Sequence, residues 1–104
     1  MGLYMIEHHH TADQCPRNNP EMVRQLSNHV SQPNADKMGV RVVSDFVYDK
    51  EHTLYMVVEA DNADQVKDFA APFGMVGTVE IKEGETCGDI AMKSLEPATA
   101  VQAT

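Results

Sequence analysis

Residues 40–60 read VRVVSDFVYDKEHTLYMVVEA. Two runs dense in β-branched and aromatic residues, 40–48 and 53–60, flank a short polar DKEH, and that pattern predicts a β-hairpin. Before the hairpin, residues 3–9 (LYMIEHH) form a third short apolar run with strand-favouring Tyr4 and Ile6. Between these lies a helix signal: Asn19 as N-cap, Pro20 at the first helical position and Glu21 in the first turn. Met22, Val23, Leu26 and Val30 then recur at helical spacing, so one face of residues 20–31 should be buried. Pro33 and the polar QPNADKMG close that helix.

After the hairpin, Asn62 with Gln65 resembles a capping box, and Ala63, Val66, Phe69 and Ala70 give a second amphipathic helix ending near Pro72 and Gly74. MVGTVEI (75–81) reads as a fourth strand, and KEGETCGD as a polar turn region. The order β-α-β-β-α-β is the α+β, ferredoxin-like, split βαβ pattern: a four-stranded antiparallel sheet with two helices on one face. Its first and third strands are the central pair. The uncovered sheet face is expected to seek a partner, and a homodimer closed face to face into an α+β barrel supplies one. Residues 1–84 form the domain, and 85–104, which lack a clear period, form an arm or tail.

A chain of 104 residues is one domain. Its formal charge of −8 argues against nucleic acid or an anionic membrane as partner. The start MGLYMIEHHH has no basic n-region and too short an apolar run for a signal peptide or a membrane span. Ile6 also stands where a myristoylation signal needs Ser or Thr. Cys15 and Cys87 make no disulfide framework, so a cytoplasmic location is expected.

The segments HTADQCP (10–16) and VVEADNADQVKDFAAPF (57–73) resemble a little-characterised bacterial family of small dimeric α+β-barrel proteins. The likeness spans roughly residues 3–83 and implies the fold, not the chemistry. MIEHHH is also similar to the first strand of small nickel-binding ferredoxin-like proteins. The wider superfamily includes muconolactone isomerases and cofactor-free monooxygenases, which implies a substrate cavity on the barrel face.

Two constellations carry chemistry. His8 and His10, two apart on a strand, lie roughly 6–7 Å apart and within reach of one ion. His9 and Cys15 complete a ligand pool, since Cys15 in the following loop can return to the same end. Imidazole with thiolate suits nickel, copper or zinc. The alternative is a cofactor-independent isomerase or monooxygenase acting on a small hydrophobic or aromatic compound. Alternation places Glu7, His9, Tyr55, Val57 and Glu59 on the face away from the helices. There His9 or Glu59 would act as general base, with Tyr55 orienting the substrate. Glu7 and Glu59, if crowded together, would raise each other's pKa.

The remaining polar residues read as structural. His29 borders the apolar stripe of the first helix, His52 sits solvated in the hairpin, and acidic neighbours disfavour a Cys87 thiolate. Met5, Met22, Met56 and Met75 read as core packing. No P-loop, G-x-S-x-G or C-x-x-C is present.

Overall fold

The structure is a computed structural model and describes residues 1–95. Strand β1 (Gly2–His9) is followed by two tight turns, then helices α1 (Pro20–His29) and α2 (Gln32–Lys37). Strands β2 (Val40–Tyr48) and β3 (Thr53–Ala60), helix α3 (Ala63–Ala70), strand β4 (Thr78–Gly84) and helix α4 (Cys87–Ser94) complete it. All strand pairs are antiparallel in the order β2-β3-β1-β4, the ferredoxin-like arrangement with β1 and β3 central.

The caps form as the residue types dictate. The Asn19 side chain accepts from the amides of Glu21 and Met22, and that of Asn62 accepts from Gln65. Gln65 in turn accepts from the Asp61 amide, one residue ahead of the cap.

The core lies between the sheet and the helices. Tyr4 and Ile6 of β1, Met56, Val58 and Ala60 of β3, Val40 of β2, and Val66, Phe69 and Ala70 of α3 are buried there. Each fully buried Ile, Val, Met or Phe among them contributes roughly 1.5–3 kcal/mol. His29 joins α1 to α3, donating from Nε2 to the Phe69 carbonyl at 2.6 Å and stacking on the Phe69 ring. The opposite sheet face presents Leu3, Met5, Phe46, Tyr55 and Val57, with Phe46 62 % and Met5 39 % exposed.

Five local readings need correction. QPNADKMG is not merely a stop: Pro33 is tolerated in the first turn of α2, whose Ala35 is buried. The α1 stripe is only half-buried, because no α1 residue reaches the core and Val23 is 42 % exposed. The last strand begins at Thr78, since Ala71–Val76 prolongs α3 as a 3-10 stretch that ends at Gly77. Met75, on that stretch, is 85 % exposed and packs no core. Part of the expected tail is a helix, α4, capped by Thr86; the remainder, beyond residue 95, lies outside the described residues. Among the described residues, no helix is long and apolar enough to cross a membrane.

Candidate metal centre

Antiparallel pairing of β1 with β3 sets His9 opposite Thr53, so the next residues outward, His10 and His52, meet at the end of the seam. The His10 amide donates to the His52 carbonyl at 3.2 Å, and the two rings lie 5.2 Å apart. His52 follows the hairpin turn in the left-handed region (φ 52°, ψ 44°). That geometry turns the chain into β3 and is uncommon for a residue with a Cβ. The turn holding Cys15 comes back to the same place. Arg17, just beyond it, donates from Nη1 to both Asp49 carboxylate oxygens, at 2.8 and 2.7 Å, and so ties that turn to the hairpin.

His10, Cys15 and His52 consequently offer one ligand atom each with all three within 4.8 Å of one another. Among the described residues this is the His/Cys/Asp/Glu group compact enough to hold an ion. His10 Nε2 and His52 Nδ1 are buried and have no hydrogen-bond partner. Buried ring nitrogens are ordinarily satisfied, and two orphaned ones beside a free thiol make a donor set without an acceptor.

A hydrogen-bond chain fixes which nitrogen of His10 is basic. His8, 2 % exposed, has Nδ1 3.2 Å from the Thr78 carbonyl, so it must donate there. Its Nε2 is then an acceptor, and His10 Nδ1, 3.3 Å away, donates to it. That leaves the lone pair of His10 on the orphaned Nε2. Burial, with the neighbouring imidazoles, lowers the pKa of both His8 and His10 from the ordinary histidine value, which favours the neutral ring. Gly77 makes this approach possible. Its φ is 152°, and a Cβ there would lie 2.2 Å from the His9 carbonyl oxygen and 3.0 Å from His10 Cβ.

Of the expected ligands, His10 and Cys15 come together, whereas both His8 nitrogens are committed to the chain just described. His9 projects to the other sheet face, where its Nδ1 contacts Thr53 Oγ1 at 3.2 Å. His52, read from sequence as a solvated hairpin residue, is the third donor. The centre borders a cavity of about 170 Å³ walled by Leu26, Val47, Leu54 and Phe73, with Arg17 and Asp49 at its edge.

The expected open-face cluster is divided. Glu7 pairs with Tyr55 and, with His9, lines a shallow groove of about 640 Å³. Glu59 pairs with Leu3, four residues farther along the strand, and accepts from Arg41 at 2.8 Å. At about 3.4 Å per residue the two glutamates are roughly 13 Å apart and do not crowd each other.

Residues 2–90 match a family described as a domain of unknown function, DUF3303. The chain belongs to that family. DUF3303 membership therefore embraces β1, the Cys15 turn and the hairpin, the segments that carry all three donors. The crystal structure of SCO4226 from Streptomyces coelicolor A3(2) is similar in fold, with a TM-score of 0.54 at 18% identity. The likeness covers 81% of this DUF3303 chain and 96% of that one. No curated protein matches.

Proposed function

We propose that this protein binds a single transition-metal ion, zinc, nickel or copper, through His10, Cys15 and His52. The observation that carries the reading is the pair of buried, unpartnered imidazole nitrogens facing a free thiol. Two imidazoles and a thiolate suit these metals rather than magnesium or calcium, which take oxygen donors. A thiolate ligand also accords with a reducing compartment such as the cytoplasm. The test is isothermal titration of untagged protein with Zn²⁺, Ni²⁺ and Cu²⁺. One ion per chain is expected, with affinity collapsing in His10→Ala and His52→Asn and holding in His29→Ala. Equal affinity in the wild type and a His10→Ala/Cys15→Ser double variant would remove the reading.

The groove on the other face supports a second reading, as a cofactor-independent enzyme. Thr53 Oγ1 donates to the Glu51 carbonyl at 3.0 Å, so His9 Nδ1 must donate to Thr53 and its Nε2 is basic. His9 beside Glu7 and Tyr55 is then the candidate general base, without Glu59. A second copy of the chain is the occupant proposed for this face. The acidic pair Glu7 and Glu80 lies one row from Lys82, and a twofold axis between those rows sets acid against base.

A further inference from the structure

We propose that the ion held by His10, Cys15 and His52 keeps one coordination position for an exogenous small monoanion, seated in the apolar cavity beside Arg17. The inference rests on the metal reading and goes beyond it, because it makes the centre a ligand-binding site rather than a structural staple. Closed structural zinc sites use four protein donors, whereas three protein donors leave a position for water or substrate. Among the described residues the compact group contains three donors. Asp49, the carboxylate among the residues lining the cavity, has both oxygens on Arg17.

Charge selects the class of ligand. A divalent ion with one thiolate and two neutral imidazoles carries a net +1. Leu26, Val47, Leu54 and Phe73 beside it offer no counter-charge, and the Asp49 carboxylate in the lining is paired with Arg17. An uncompensated charge against apolar walls is costly, and a monoanion at the open position makes the assembly neutral. Arg17 adds attraction. Asp49 engages its Nη1 alone, which leaves the rest of the guanidinium fork to an incoming anion. At about 170 Å³ the pocket seats a ligand of a few heavy atoms, such as a short-chain carboxylate.

The experiment uses the full chain loaded with Co²⁺, whose visible bands report coordination, titrated at constant ionic strength with azide, acetate and the neutral isostere acetamide. Azide and acetate should shift the bands saturably while the thiolate-to-cobalt band persists, which shows addition rather than displacement of Cys15. Acetamide should have no effect. Arg17→Ala, read after saturation with Co²⁺ because the Arg17–Asp49 pair also holds the Cys15 turn, should bind acetate roughly two- to fivefold more weakly, the range of an exposed charge pair. Leu26→Trp, which narrows the cavity, should weaken the acetate response with Co²⁺ uptake intact. Bands indifferent to both anions, or equal responses to acetate and acetamide, would overturn the inference while leaving the metal reading standing. Failure to take up Co²⁺ at all would overturn both.

Discussion

Replacing His8 tests whether the hydrogen-bond chain behind His10 governs the metal centre. In His8→Leu the side chain keeps a comparable volume against Phe73, whose ring lies 5.1 Å from the imidazole. Two hydrogen bonds disappear, to the Thr78 carbonyl and from His10 Nδ1. Thr78 is exposed, so its carbonyl turns to water; the half-buried His10 donor is the group left wanting. An unsatisfied buried donor costs about 1–3 kcal/mol. Burying leucine in place of a polar ring offsets much of that, so the net loss of stability should be about 1 kcal/mol. Metal affinity should fall much further, by about 10–100-fold, because the partner that orients a ligating imidazole is gone. His8→Gln keeps a carbonyl acceptor for His10 and should recover most of the affinity. The assay is competition titration of Zn²⁺, paired with long-range ¹H–¹⁵N spectra of the metal-free protein, in which His10 should carry its proton on Nδ1. Wild-type affinity in His8→Leu, or a His10 proton on Nε2, would refute the reasoning.

Three other outcomes are expected. The metal-free protein should lose stability as pH falls. His8 and His10 bind a proton less readily folded than unfolded, so their contribution is complete above the unfolded value of about 6.5 and is lost as pH drops through the lowered folded values. Thermal melts from pH 7.5 downward check this, and a His8→Leu/His10→Asn variant should show a flatter decline. Gly77→Ala should destabilise by about 1–3 kcal/mol, since a Cβ at φ 152° runs into the His9 carbonyl. Denaturant unfolding gives the loss, and metal titration should show weaker binding because His10 is displaced with that carbonyl. Val57→Lys, on the open face, should shift the proposed dimer toward monomer in light scattering while the monomer stays folded; a wild-type protein that is monomeric at micromolar concentration would remove that partner.

Strands β1, β2 and β3 and helices α1 and α3 were legible because each had its own local signal, whereas α2 and α4 fell in stretches read as a helix stop and a tail. Asn19-Pro20-Glu21 opens α1, Asn62 opens α3, and the hairpin strands are β-branched. The proposed metal centre was legible in part. His10 and Cys15 lie in one short segment, and their types alone suggest a metal. His52 carried no local signal, being one polar residue in a polar turn. Its placement follows from topology: once β1 and β3 pair antiparallel, the residue after β1 must sit beside the residue before β3. The same rule shows why Glu7 and Glu59 part. Glu7 is near the end of β1 and faces the start of β3, whereas Glu59 is near the end of β3. His8 lies on the expected side of the sheet but has both ring nitrogens engaged elsewhere. Strand alternation gives the side of the sheet but not the hydrogen bonds on it, and the Thr78 carbonyl that claims Nδ1 comes from a strand 70 residues away.

The separation of the donors along the chain gives the site another property. About 40 residues, carrying α1, α2 and β2, intervene between His10 and His52. In the folded protein the β1–β3 seam has already closed that loop. An unfolded chain would have to close it at the moment of chelation, at a cost of about 3 kcal/mol, or a roughly 200-fold lower effective concentration of the second imidazole. Zipping the two central strands therefore sets the concentration at which one donor meets the other. If the proposed ion is held there, any event that unzips the end of that seam, such as fraying at Thr53, engagement of the hairpin by another molecule or proteolytic nicking in the turn, would release it without protonating a single ligand.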